Sequence, residues 1–311
     1  MQLNGIHHIT AITADAQANI DFYCLLLGLR LVKQTVNQDD PGAYHLFYAD
    51  ERGSPGADLT FFAYPHAARG LAGAGMVHRI RWRLRSAASL DFWEQRLREH
   101  GIACAREQGT LRFNDPEGLA HELAPVQSAD DPLLARAPDI PEEHALQGFD
   151  GVYAYAADPR ASARLLVEGL SFDGVDGGPD RYTMRGPTRG AFYAYDPPPG
   201  TPGRQGAGTV HHVAFAAQPA EHEAWRERVI AAGARPTPVI DRYYFRSIYF
   251  REPSGVLFEL ATIGPGFALD EEPEHLGERL SLPPFLEARR AEIEASLAPL
   301  RNPRAGAIAR L

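Results

Sequence analysis

At 311 residues the chain has room for two ordinary domains or one duplicated domain, and its 44% hydrophobic content with a mean hydropathy of −0.29 supplies apolar material for a core. A net charge of −9 and a pI near 5.7 argue against a nucleic-acid or anionic-membrane partner. No run approaches the roughly 18 apolar residues of a membrane span, no charged-then-apolar leader is seen, and two cysteines, Cys24 and Cys104, make no disulfide framework, so a reducing cytoplasm is the expected location.

The chain opens on "IHHIT" (6–10), a strand-like run, followed by a helical stretch at 14–28 and a strand-like closing segment, "GADLTFFAY" (56–64). The same order returns three times. "VHRIR" (77–81) precedes a helical stretch at 86–101 and "GLAHELAP"; "FDGVY" (149–153) precedes one at 158–169 and "GAFYAYD"; "VHHVA" (210–214) precedes one at 218–233 and "GVLFELAT". Each helical stretch stops at a glycine, Gly28, Gly101, Gly169 or Gly233, as expected where the chain needs a left-handed residue past the last turn. The predicted unit is strand, helix and three strands, used four times. The expected fold is therefore α+β: four βαβββ modules in two tandem domains, each a half-open β-barrel with flanking helices. Modules one and two occupy 1–125, a linker rich in proline and acid occupies 126–145, and modules three and four occupy 146–263. From 264 to 311 the repeat gives way to a loop and a helix over "LPPFLEARRAEIEASLAPL" (282–300), with proline in its first turn, expected to serve packing or a homo-oligomer.

Neighbouring residues on a strand face opposite ways, so each histidine pair can send only one ring inward. Aligning the modules without gaps puts His8, Arg79, Gly151 and His212 at the first-strand inward position, and Thr60, Glu122, Ala194 and Glu259 at the closing-strand one. His212 shares its face with Ala214 and Ala216, small residues that leave room for a ligand, while His211 lies behind with Val213 and Phe215. The turn Glu252-Pro253-Ser254-Gly255 sets a hairpin that puts Tyr249 opposite Glu259, and the matching turn in module two puts Arg112 opposite Glu122. Glu122 thus has arginine partners, Arg112 and Arg79, and reads as a retired site. Glu259 has none. A buried carboxylate without a counterion is costly, and a divalent metal held also by His8 and His212 would supply the charge. Two histidines and one carboxylate form the facial set of non-haem Fe(II) oxygenases, and Thr60, a poor ligand, would leave the metal open to substrate and O2. Simpler readings are preferred elsewhere. His66, His100, His121, His144, His222 and His275 read as solvated, both cysteines as core, and "GLAGAG" (70–75) as a connector.

Four such modules, with candidate ligands on first and closing strands, resemble the vicinal oxygen chelate superfamily of glyoxalase I, bleomycin-resistance proteins and extradiol dioxygenases. "GIHHIT", "YHLFYADERGSPG", "VHHVAF", "DRYYFRSIYFREPSGVLFELAT" and "PPFLEARRAEIEASL" are similar to the hydroquinone 1,2-dioxygenases and related ring-cleaving dioxygenases over most of the chain. The resemblance implies an Fe(II)-dependent ring-cleaving dioxygenase that inserts both atoms of O2 into a hydroquinone-type aromatic. His8, His212 and Glu259 match its metal positions, and His7, Thr10, His211, Arg242 and Tyr249 match positions around metal and substrate. His211 is the expected proton acceptor, Arg242 the support for anionic oxygen, and Tyr249 a group that orients Glu259. Module three carries Asp150-Gly151 where the catechol-cleaving relatives draw their first histidine, which disfavours a catechol enzyme of the usual type. A redox-inert glyoxalase-like lyase or isomerase with Zn, Ni or Mn, and a non-catalytic protein sequestering an aromatic drug, are the alternatives.

Overall fold

Runs rich in β-branched and aromatic residues build the strands of this protein, and Ile6–Thr13 and Arg30–Asn37 are buried along both faces; its computed structural model describes residues 1–304. Module one carries β1 (Ile6–Thr13), β2 (Arg30–Asn37), β3 (Asp40–Ala49) and β4 (Asp58–Ala63); module two carries β5 (Met76–Leu84), β6 (Cys104–Glu107), β7 (Thr110–Asn114) and β8 (Ala120–Pro125). Module three carries β9 (Phe149–Tyr155), β10 (Asp173–Gly174), β11 (Arg181–Arg185) and β12 (Gly190–Asp196). Module four carries β13 (Val210–Ala217), β14 (Ile240–Asp241), β15 (Arg246–Arg251) and β16 (Leu257–Thr262). The α+β architecture of four βαβββ units is the one expected.

The sheets join modules differently from the sequence halves. One eight-stranded sheet runs β14-β15-β16-β13-β1-β4-β3-β2 and so unites modules one and four; the other runs β10-β11-β12-β9-β5-β8-β7-β6 and unites modules two and three. Within a module the first and closing strands pair in parallel, as β1 with β4 and β13 with β16. Between modules the first strands pair antiparallel, β1 with β13 and β5 with β9. The sheet partnerships therefore cross the 125/126 boundary rather than respecting it. The two connections that pass between sheets, near 69–71 and 204–207, lie against each other through the bridges Arg69 to Ala207 and Leu71 to Arg204.

The helical segments bury their apolar sides in the core. Helix α1 (Ala16–Ile20) is capped by Asp15, whose carboxylate accepts from Ala18 N at 3.0 Å, and continues into a wider turn over Asp21–Leu26. In α2 (Ala88–Glu99), Leu90, Trp93 and Leu97 recur at helical spacing and are buried; in α3 (His222–Ala231), Trp225 and Val229 are. Gly28, Gly101 and Gly233 take positive φ where expected. In module three Ser171, at φ 59°, takes the left-handed position in place of Gly169, and the helix there is a pair of short turns, Pro159–Ser162 and Leu165–Gly169.

The tail wraps the outer edge of the first sheet. Lys33, the single lysine, is wholly buried on β2 and donates to Asp270 Oδ1 at 2.7 Å and to Glu271. Arg30 reaches Glu274 O at 2.8 Å, and Tyr44 reaches Ala298 O at 2.9 Å. The expected helix over 282–300 is shorter: Pro283 and Pro284 sit in a turn, and only Glu287–Arg289 and α4 (Arg290–Ser296) are helical. The last part of the expected tail, 305–311, lies outside the described residues.

Candidate metal centre

β1 and β13 lie side by side at the centre of the first sheet, with β16 beyond β13, and their inward faces bring His8, His212 and Glu259 together. Glu259 Oε2 is 3.2 Å from His8 Nε2 and 2.9 Å from His212 Nε2, and the two ring nitrogens are 3.2 Å apart. All three side chains are buried. Glu259 Oε1 accepts a hydrogen bond from Ser247, whereas Oε2 meets no hydrogen-bond donor in good geometry among the described residues. Burial alone would favour the neutral acid; the two imidazoles outweigh it and hold the carboxyl well below the usual range. Burial lowers His212, partly offset by Glu259, which keeps its nitrogen lone pair available.

Behind each of these imidazoles stands another. His7 Nδ1 is 2.9 Å from His8 Nδ1, and His211 Nδ1 is 2.8 Å from His212 Nδ1. Burial pushes His7 down to about 3 and His211 to about 4, so both are neutral near pH 7 and able to accept. If the inner rings face a metal through Nε2, their Nδ1–H groups donate outward to His7 and His211, which fixes tautomer and ring orientation together.

The remaining predicted residues divide between pocket and support. Arg242 and Tyr249 line the opening above the three side chains, with His45, Phe47, Phe62 and Phe245 among its other walls. Tyr249 stands directly across the β15–β16 ladder from Glu259, and its hydroxyl accepts from Arg242 Nε at 3.3 Å. Thr10 lies deeper: it accepts from Thr60 Oγ1 at 2.8 Å, and Thr60 in turn contacts His45 Nε2 at 2.9 Å. The ring of Phe245 packs against both His7 and His8, 5.2 Å between centroids in each case.

The equivalent carboxylate of the second sheet is paired differently. Glu122 is held by Arg79 Nε at 3.1 Å and Arg112 Nε at 3.0 Å. The Phe192 ring lies where a side chain at Gly151 would project, and the Arg79 guanidinium lies 3.9 Å over the ring of Tyr153. That cup is filled by its own side chains. Against it, Glu259 stands out as a buried carboxylate with an unbonded oxygen and no arginine or lysine partner among the described residues. Two imidazole nitrogens and one carboxylate oxygen about 3 Å apart suit a first-row divalent ion, which binds such donors near 2.0–2.2 Å.

Several site residues escaped the sequence reading. Ser247 shares a strand face with Tyr249, two residues on, and that alternation was the available signal. His45 and Phe47 likewise share the inward face of β3. Asp58 pairs with His8 on the neighbouring strand, and its two oxygens have no partner; burial pushes its carboxyl well above the usual range, and His7, His8 and Asp58 form a second close group. Two of the histidines read as solvated are buried. His121 sits between Trp82 Nε1 at 3.1 Å and the Tyr23 hydroxyl at 3.0 Å, and His222 donates to Leu260 O at 2.9 Å. His121 on β8 packs against Tyr23, Trp82 and Phe113, and a neighbourhood built from such distant segments is invisible locally.

Comparison with known proteins gives the family. The model of the Glyoxalase/Bleomycin resistance protein/Dioxygenase superfamily matches residues 5–123 and 149–260. The chain is 40% identical to "Putative ring-cleaving dioxygenase MhqA" of Bacillus subtilis, covering 97% of this chain and 100% of that one. It is 32% identical to the chlorohydroquinone/hydroquinone 1,2-dioxygenase of Sphingobium indicum, covering 94% and 95%. The crystal structure of a "putative dioxygenase from Bacillus subtilis" superposes with a TM-score of 0.89 at 37% identity over 97% of this chain and 98% of that one. Glyoxalase I of Zea mays shares the fold at 14% identity, TM-score 0.58, over 89% and 97%. Sequence and fold thus agree: the chain belongs to the Glyoxalase/Bleomycin resistance protein/Dioxygenase superfamily, alongside relatives of matching length named as dioxygenases.

Proposed function

We propose that this protein is an Fe(II)-dependent ring-cleaving dioxygenase acting on a hydroquinone-type aromatic, with His8, His212 and Glu259 as the metal ligands. The observation that carries the reading is the Glu259 oxygen buried beside two imidazole nitrogens, with no arginine or lysine within ion-pair distance among the described residues. Support for the reaction class comes from the relatives named for ring cleavage and for hydroquinone 1,2-dioxygenation. Bound here, Fe(II) would supply a Lewis acid for a phenol oxygen and an electron partner for O2.

The chain's own residues prepare the site. His7 and His211 hold the inner rings by their Nδ1 atoms, and Ser247 holds Glu259 by Oε1, so that one lone pair from each ligand points inward. Phe47, Phe62 and Phe245 give an aromatic ring an apolar slot. Arg242 donates to Tyr249 by Nε and to Asp39 by Nη1 and Nη2, and its remaining N–H groups can donate to a phenolic oxygen of the substrate. His211 is partly exposed while His7 is buried, so His211 is the imidazole from which a phenol proton can pass to water. Tyr249 stands opposite Glu259 on the ladder and accepts from Arg242 at its hydroxyl, while Ser247 holds the carboxylate. Thr10 braces the floor through Thr60.

The test is to load the metal-free protein with Fe(II) under argon, add a panel of hydroquinones, admit O2, and follow its uptake with the ultraviolet band of the ring-opened product. One O2 consumed per hydroquinone, with no turnover by the Zn(II) form, is expected. No uptake with any phenol, or equal turnover with Zn(II), would contradict the proposal.

A further inference from the structure

Arg242 is the one arginine or lysine among the described residues that line the pocket, and it is already engaged. Its Nη1 and Nη2 donate to Asp39 Oδ1 and Oδ2 at 3.1 and 2.9 Å, a two-pronged pair. Asp39 lies in the turn between β2 and β3 of module one, and Arg242 in the loop between β14 and β15 of module four, so the pair spans the mouth. Gln38 strengthens the crossing by donating to Arg242 O at 2.8 Å. Asp39 is 73% exposed and Arg242 19%, which places the carboxylate at the rim and the guanidinium on the wall.

We propose that Asp39 is a specificity-determining residue: by pairing with Arg242 across the mouth, it cancels the pocket's cationic charge and discriminates against aromatic substrates bearing a ring carboxylate. The inference rests on the hydroquinone reading above and adds a selectivity to it. A divalent metal with the Glu259 carboxylate leaves one positive charge. A phenol bound as its monoanion neutralises that charge, and the apolar walls suit a ring whose substituents are uncharged. A second anionic group on the ring would meet a guanidinium already shared with a carboxylate, and would face the Asp39 charge at the rim. An unpaired anion on a desolvated wall is disfavoured. Arg242 still donates hydrogen bonds to a neutral or singly charged ring, so Asp39 acts on the charge of the wall and leaves the donors in place.

The test compares hydroquinone with 2,5-dihydroxybenzoate, which differs by one carboxylate, on the Fe(II)-loaded protein without O2, by titration calorimetry. The unsubstituted ring is expected to bind at least tenfold more tightly. Asp39→Asn, an exposed change on a turn, is expected to narrow that ratio about tenfold, equivalent to about 1.4 kcal/mol. Asp39→Glu, which keeps the charge, is expected to preserve most of the preference. A ratio unchanged in Asp39→Asn, or altered equally by Asp39→Glu, would overturn the proposal. Binding is read without turnover, so hydroquinone that binds but consumes no O2 on later aeration would remove the dioxygenase reading alone. Failure of hydroquinone to bind at all would remove both.

Discussion

Ser247 donates its hydroxyl hydrogen to Glu259 Oε1, and that single bond leaves Oε2 turned toward His8 and His212. The serine lies on β15 and the glutamate on β16, so a hairpin register error of one residue would put the two side chains on opposite faces. Replacing Ser247 with alanine removes an outer partner of a proposed ligand without leaving a large cavity. Metal affinity, read by competition with a chelator, is expected to fall roughly 10–100-fold while the fold persists. Unchanged affinity would show that Glu259 needs no such support.

The tail is expected to be energetically part of the first sheet. Lys33 is wholly buried and ion-paired to Asp270 and Glu271, and Asp270 also accepts from the Tyr244 hydroxyl at 2.9 Å. Lys33→Ala leaves the buried Glu271 without its main cation and should cost about 3–5 kcal/mol of stability. Limited proteolysis is expected to cut near 264–280 first in that variant. Equal resistance of the two proteins would argue that the tail docks independently of the ion pairs.

His121 predicts an acid sensitivity far from the metal centre. Burial lowers it from 6.5 to about 3, so the folded state binds its proton less readily than the unfolded state does. Its contribution to stability is complete above pH 6.5 and is lost as pH falls toward 3. Between those limits the loss approaches ~1.4 kcal/mol per pH unit. Neighbouring Asp115, raised by burial to about 6, works the opposite way: its contribution is present below its ordinary value and lost as pH rises through 6. Denaturant titrations of His121→Gln between pH 6.5 and 4 are expected to show a slope shallower by about one proton. An identical slope would mean that the ring is protonated in the folded protein.

The second cup is expected to be intolerant of added bulk. A Cβ at Gly151 would meet both the ring and the carbonyl of Phe192. Gly151→Ala should cost about 1–3 kcal/mol through overpacking, with metal stoichiometry unaltered. A neutral effect on the melting temperature would show that this sheet has slack.

Local patterns carried much of this structure. Alternation on β1, β13 and β16 exposed the inward faces of His8, His212 and Glu259, and the turn at Glu252–Gly255 set the Tyr249–Glu259 register, since Glu252 N does bond Val256 O at 3.0 Å. The partnership of modules was not legible. β1 could pair antiparallel with any other first strand, and the choice of β13 depends on surfaces contributed by segments some 200 residues apart. The same distance hid Asp39, whose role appears only when module four brings Arg242 across to it. Proline in the first turn of the tail suggested a helix over 282–300, but Pro283 and Pro284 together favour a turn, and α4 starts only at Arg290.

The most direct measurement is iron content after anaerobic loading and desalting, made on the wild-type chain and on Glu259→Gln, which keeps shape and hydrogen-bonding length but removes the charge. One Fe(II) per chain in the wild type and essentially none in a Glu259→Gln protein of unchanged circular dichroism is the predicted result. A full equivalent of iron in Glu259→Gln, or none in the wild type, would contradict the assignment of this carboxylate as a metal ligand.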